Sequence, residues 1–362
     1  MFIYIYLAKK MKHHLNYSKE DPNYILLEKI FKIIGSRKLR TIIASKGVKN
    51  TNMMIISIKI IFTAILFNTT IEFVVSELKR DKKLQKFFKI NEIPSALQIS
   101  EFNSRFQPDT FVKITNSILM QTKPIKRRGK RTFIIDATPV DLDYNTKRKH
   151  RSKKYLKKQN LKWSYATSSY GFYIEFKATI VIEHKSAIPV AILIHSGAPH
   201  DTKIFSEIME NLRKRRIIRK KDTIIFDRGY YKYENYQIGI SKYKIVPLIF
   251  PKEKFKLQKL KDKLTYPLRV FKNKKTENQA KKLYETLTKT LLQKIENWKR
   301  YKPIRGKIED FFKLCESGLG LKKIHKYTPK SAETTIFIVF LAGLITTLGY
   351  NSKTALQKLS ET

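Results

Sequence analysis

The stretch Ile224-Ile-Phe-Asp-Arg-Gly-Tyr-Tyr231 constrains this chain more than any other. A short apolar run bounded by a turn signal reads as a buried strand. This one ends on Asp227, and burying a carboxylate costs free energy unless something pairs with it. The fold therefore has to bring a cation, or other groups sharing one, to the end of this strand. A second run of the same kind, Thr132-Phe-Ile-Ile-Asp-Ala-Thr138, carries Asp136. Side chains alternate along a strand, so Thr132, Ile134 and Asp136 share one face, as do Thr223, Ile225 and Asp227.

The surroundings of these aspartates are basic. Lys and Arg number 75 against 30 Asp and Glu, a net charge of +45. That excess points to a polyanionic partner, most economically nucleic acid, with a membrane surface as the rival polyanion. The apolar content of 42% excludes a disordered polybasic chain. Lys123, Lys126, Arg127, Arg128, Lys130 and Arg131 read as a basic linker. Residues 147–162 hold nine Lys and Arg, among them Lys147, Arg148, Lys149, Arg151, Lys153 and Lys154, with Tyr155, Trp163, Tyr165 and Tyr170 interleaved or close behind. Cations for phosphates beside rings for bases suit nucleic acid. With Cys315 as the one cysteine, neither an intrachain disulfide nor a Cys-based zinc site can form. The seven histidines show no metal-binding spacing. Residues 53–67, interrupted by Lys59, and 334–350 fall short of the ~20 apolar residues of a membrane span and read as buried core helices. Met1 or Met11 could begin the chain.

Four segments follow from the patterning. Residues 1–120 are helical and basic, with apolar spacing over 24–34, 56–68, 70–84 and 101–120. They form either a DNA-binding module or a domain that only packs on the rest. Residues 121–250 read as strand, a two-stranded hairpin (172–182 and 188–194), a helix begun by His200-Asp201, the Asp227 strand and a strand over 244–250. Residues 251–297 are a Lys-rich insertion. Residues 298–362 hold a helix opened by Pro303, with Ile304, Ile308, Phe311, Phe312 and Cys315 on one stripe and Arg305, Glu309 and Glu316 on its flank. This order is that of a ribonuclease H-like α/β fold: a mixed five-stranded sheet with helices, preceded by an all-helical region. Asp141 and Asp143 fall in a loop past the first strand, and His195 reads as a satisfied half-buried histidine.

Three carboxylates on three elements suit Mg²⁺, which takes oxygen ligands and shares them with substrate phosphates. Ile135-Asp-Ala-Thr-Pro139, Gly197-Ala-Pro-His-Asp-Thr-Lys203, Asp227-Arg-Gly-Tyr230 and Arg305-Gly-Lys-Ile-Glu-Asp-Phe-Phe312 occur in this order. With them the chain resembles a prokaryotic insertion-sequence transposase of the DDE class. The resemblance implies Asp136, Asp227 and Glu309 as catalytic metal ligands, with Glu316 the rival third acid. It implies Mg²⁺ or Mn²⁺, two ions in all. It also implies nicking of double-stranded DNA at terminal inverted repeats, followed by attack of the freed 3′-hydroxyl on target DNA. A homo-oligomer on DNA in the cytoplasm, at the nucleoid and away from membranes, goes with it. Arg228, Tyr301 and Arg305 become DNA-contact candidates, although Tyr301 stands one residue further from Arg305 than in many relatives. A metal-dependent nuclease on the same fold, and a non-catalytic DNA-binding copy, are the alternatives.

Overall fold

The computed structural model describes residues 15, 18, 20–44, 50–67, 69–104, 108–122, 131–142, 163–166, 171–266, 274–321, 323–324 and 329–351. Among the described residues seven helices come first: α1 (Pro22–Ile34), α2 (Arg37–Ala44), α3 (Thr51–Leu66), α4 (Ile71–Arg80), α5 (Lys82–Phe88), α6 (Ala96–Ser104) and α7 (Pro108–Thr122). The sequence suggests one helix over 70–84, but the chain breaks at Asp81. Its Oδ1 accepts the Lys83 and Leu84 N–H groups and so starts α5. A side chain that satisfies orphan amides there favours a new helix over continuing the old one. The expected 101–120 helix likewise restarts at Pro108, a residue suited to a first turn.

The sheet is built from β1 (Thr132–Leu142), β2 (Trp163–Ala166), β3 (Gly171–Glu183), β4 (Pro189–Ser196), β5 (Thr223–Phe226), β6 (Val246–Ile249) and β7 (Lys323–Ile324). Its main order is β4-β3-β1-β5-β6, with β3 antiparallel to β1 and β4, and β5 and β6 parallel to β1. This is the mixed five-stranded ribonuclease H-like sheet. β2 adds to the start of β3, and β7 pairs with the end of β1. Phe133, Ile134, Ile135, Ile224, Ile225 and Phe226 are wholly buried, which is why the two short runs become inner strands.

Helices α8 (Asp201–Lys214) and α9 (Tyr233–Ser241) follow β4 and β5. The stripe Ile204, Phe205, Ile208, Met209, Leu212 of α8 is buried. The N-cap of α8 is His200, whose Nδ1 accepts the Thr202 N–H. The Lys-rich segment after β6 holds α10 (Leu257–Lys263) and the long α11 (Lys274–Glu296), which buries Tyr284, Leu287, Leu291 and Ile295 and packs on β6. Next come α12 (Lys302–Lys313), a single π-helical turn over Leu314–Gly318, and α13 (Pro329–Asn351).

α13 packs on α1, α3, α6 and α7 and also on β4, so one apolar core runs from the helical region into the sheet. Phe337 stacks on Phe111 with ring centroids 5.2 Å apart. Among the described residues, Pro329–Leu348 is the one helix long and apolar enough to cross a membrane, and 78% of that window lies buried inside the fold. It is a core helix, as is α3, whose Lys59 donates from Nζ to the Phe88 carbonyl at 2.6 Å.

Two sequence readings need correction. Arg131 is not a linker cation free for phosphate. It is buried, with Nε 3.0 Å from Asp222 Oδ1 and Nη2 2.5 Å from Oδ2, and Nη2 also donates to the Ile217 carbonyl. Asp141 is not in a loop: β1 continues past Pro139 to Leu142, because β3 pairs with it as far as Asp141 and β7 takes over its other edge at Asp141 and Leu142.

Candidate active site

β1 and β5 run parallel in the register Ile134 with Ile225 and Ile135 with Phe226. Asp136 and Asp227 are the next step on each strand, so both carboxylates lie on the same face at the same level. Among the described residues no strand covers that edge of β1 between Ile135 and Asp141. The sheet opens where the two acids stand.

α12 closes over this opening. Ile308, Phe311 and Phe312 are buried, and the flank of that stripe carries Arg305 and Glu309 toward the strands. The Arg305 guanidinium reaches three acids: Nη2 is 2.6 Å from Asp136 Oδ2, Nε is 3.8 Å from Asp227 Oδ1, and Nη1 is 3.6 Å from Glu309 Oε1. Asp136 also accepts the Ala137 N–H on Oδ1 at 2.9 Å. Exposure rises from 13% at Asp136 through 31% at Asp227 to 52% at Glu309. The site is therefore deep at β1 and open to solvent at α12.

Burial pushes the Asp136 carboxyl above the ordinary carboxylate range, and the nearby Asp227 charge adds to the push. Arg305 and the Ala137 N–H pull the other way. For Arg305, burial works against the charge, but Asp136, Asp227 and Glu309 outweigh it and its pKa moves up. Asp136 and Arg305 thus favour each other's charged form. Yet the arginine is incompletely bonded: its buried Nε–H has no hydrogen-bond partner, and 3.8 Å to Asp227 is too long for one.

Glu316 stands elsewhere. The π turn after α12 carries it to β1, where it accepts the Thr138 hydroxyl at 2.5 Å. Thr138 lies two residues beyond Asp136 on the same face, roughly 6.5 Å further along the strand. The sequence places Arg305, Glu309 and Glu316 on one flank of a regular helix, and the change of helical pitch separates the last from the other two.

Asp227 is the last residue before a 3₁₀ turn over Arg228–Tyr230. Gly229 is required there by close approach rather than by its backbone angles. A Cβ on it would stand 2.3 Å from Asp201 Oδ2, and Asp201 is itself tied to Lys177 Nζ at 2.7 Å. Tyr230 buries its ring against Phe226 on the side where α8 packs. Asp201 thus packs against the turn that follows Asp227, a contact between distant segments that no motif spacing reveals. Gly229→Ala is expected to cost about 1–3 kcal/mol of stability, since the methyl must displace a carboxylate held by an ion pair. Urea denaturation checks this; a variant as stable as the parent would show that Asp201 can move aside.

Of the DNA-contact candidates, Arg228 is exposed on its turn. Tyr301 is occupied by Lys294, which donates to its hydroxyl at 3.1 Å and lies 4.7 Å from its ring centroid. Arg305 meets the acids instead of projecting into solvent. Lys147, Arg148, Lys149, Arg151, Lys153 and Lys154 lie outside the described residues, as do Asp143 and the linker cations other than Arg131. His195 is half-buried and pairs with Glu207 at 2.9 Å.

A ribonuclease H-like sheet with one aspartate inside β1, a second just past the end of the adjacent parallel β5, and a late helix whose glutamate shares their arginine, defines the class. The chain belongs to the DDE transposases: the family model for the transposase DDE domain matches residues 127–345, more than half of the chain. No curated protein matches it.

Proposed function

We propose that this protein is a DNA transposase that cleaves double-stranded DNA at transposon ends and joins the freed 3′-hydroxyl to target DNA, with Asp136, Asp227 and Glu309 as its catalytic acids. The observation that carries the reading is the convergence of these three carboxylates, from β1, the end of β5 and α12, on one cationic group. The family generally uses divalent metal ions.

Among the described residues no three His, Cys, Asp or Glu side chains stand close enough together to hold a metal ion. The Arg305 guanidinium lies among the three acids and offsets part of their charge. The donor set nevertheless suits Mg²⁺ or Mn²⁺: it consists of carboxylate oxygens, and it already gathers around positive charge. Two such ions bound there would activate the attacking oxygen and stabilise the leaving one in an in-line displacement. Asp136 would be the fixed ligand, held by the Ala137 N–H. Glu309, the most exposed, would be the adjustable one. Glu316, engaged by Thr138, is the rival. Arg305, once released from the acids, has the planar fork suited to a phosphate on the same face.

The decisive assay gives the purified chain duplexes ending in the inverted repeats that flank its gene, with Mg²⁺ or Mn²⁺. Cutting at the repeat ends and joining to a second duplex is the expected result. Indiscriminate cutting would instead assign a nuclease, and binding without cutting a non-catalytic copy.

If Arg305 holds the place of a divalent ion, the two compete. Arg305→Ala should then lower metal-free stability by about 1–3 kcal/mol, because three acids lose their shared counter-charge. It should also bind Mn²⁺ more tightly than the parent in calorimetric titration. Weaker binding would mean that Arg305 supports the site rather than filling it.

A further inference from the structure

The helical region holds a cavity of about 1030 Å³ between α1, the start of α3 and the end of α5. Five cations line it (Lys32, Arg40, Lys59, Lys86 and Lys89) against two acids, Glu28 and Glu92. Glu28 is paired with Lys32 at 3.4 Å. The cation at the cavity wall that matters most is Lys59. It is 9% exposed, its Nζ donates to the Phe88 carbonyl at 2.6 Å, and it lies 5.0 Å from the Phe31 ring centroid. Among the described residues no carboxylate reaches it within salt-bridge distance. Arg40 is also held by neutral partners, donating to Asn52 Oδ1 at 2.6 Å and to the Gly35 carbonyl at 3.2 Å.

A buried ammonium without a carboxylate is costly, and like charges beside it raise the cost. Burial, then Lys89, then Arg40 pull the Lys59 pKa down to about 8. Such an arrangement is relieved by an anion entering the cavity. The start of α3 adds to the same field. Asn50, Asn52 and Met53 are part of the wall, Asn50 is the N-cap of this 16-residue helix, and a helix N-terminus favours negative charge. Lys89 holds a left-handed conformation at φ 55°, an uncommon one for a residue with a side chain.

We propose that this cavity binds a phosphate group, and that the phosphate is supplied by a DNA backbone, so that the helical region holds DNA through Lys59, Arg40 and Lys89 apart from the Asp136–Asp227 site. The phosphate follows from the cavity alone; DNA as its source rests on the transposase reading. The chain's excess of positive charge makes a polyanion the abundant supplier of such groups.

The test uses the full chain, inorganic phosphate and a short labelled duplex, with Lys59→Met and Lys89→Gly beside the parent. Lys89→Gly removes a charge at a position where glycine adopts the backbone without strain, so its fold is preserved even if Lys59→Met fails to fold. Phosphate should raise the melting temperature of the parent, and the variants should lose that shift. In duplex binding, the slope of log affinity against log salt should become shallower by about 0.9 for each phosphate contact removed. Equal phosphate shifts in all three proteins would overturn the site. A lost shift with an unchanged duplex slope would overturn DNA as the source and assign the cavity to a free phosphate compound. End cleavage by the parent, measured in parallel, tests the transposase reading separately: cleavage with no cavity effect would sink this inference alone.

Discussion

Asp227→Asn is expected to lower end cleavage by at least about a thousandfold while leaving duplex affinity within a few-fold of the parent. The substitution keeps size and shape but removes one of the two charges at the bottom of the site. Holding an ion on Asp136 and Glu309 alone means relying on one buried acid and one that is half exposed. Metal stabilisation of charge developing in phosphoryl displacement is worth several kcal/mol, and each ~1.4 kcal/mol is a factor of ten in rate. DNA affinity should survive because it arises from the many cations of the chain rather than from this carboxylate. The check is a gel assay of cutting at the repeat ends beside a binding titration. Normal cutting by the variant would remove Asp227 from the chemistry, and with it the proposed function.

Arg131→Met should destabilise the fold by about 3–5 kcal/mol. This substitution leaves Asp222, 3% exposed, without the guanidinium that grips both of its oxygens. The Arg219 N–H, donating to Asp222 Oδ2 at 2.7 Å, remains but cannot neutralise a buried charge. The pair joins the residue just before β1 to the residue just before β5, and the Thr223 N–H donates to the Arg131 carbonyl beside it. It therefore sets the register that puts Asp136 and Asp227 at one level. Urea denaturation of Arg131→Met and of the double variant Arg131→Met with Asp222→Leu checks both the size and the cause. The double variant should recover much of the loss, because an apolar pair no longer strands a charge. No recovery would place the cost in lost packing of Arg131 over Phe133 rather than in the charge.

Some of this was legible from the chain alone. The short apolar runs that carry Asp136 and lead to Asp227 are local signals, and each reads as a strand. The stripe of α12 needs only helical spacing, and it brings Arg305 and Glu309 to one flank four residues apart. Other features depend on partners far away in sequence. Arg131 reads as one more cation in a basic stretch until Asp222 is placed beside it. Gly229 reads as a turn glycine, but the atom that requires it is on Asp201, at the start of α8. α9 shows no single apolar stripe in the sequence, because its packing is divided among β6, α8, α10 and α11.

The sequence by itself picked out the residues proposed to carry the chemistry: an aspartate on each of two short buried strand runs, a glutamate on a late helix and a basic surround. These follow from hydrophobic periodicity, which acts over a few residues. Tertiary structure alone decided where each charge finds its counter-charge. Arg305 turned inward to the three acids, Glu316 was carried to Thr138 by a π turn, and Lys59 was left at a cavity wall with no carboxylate beside it among the described residues. Electrostatic pairing depends on distance in space and on burial, and neither is written in the order of the residues.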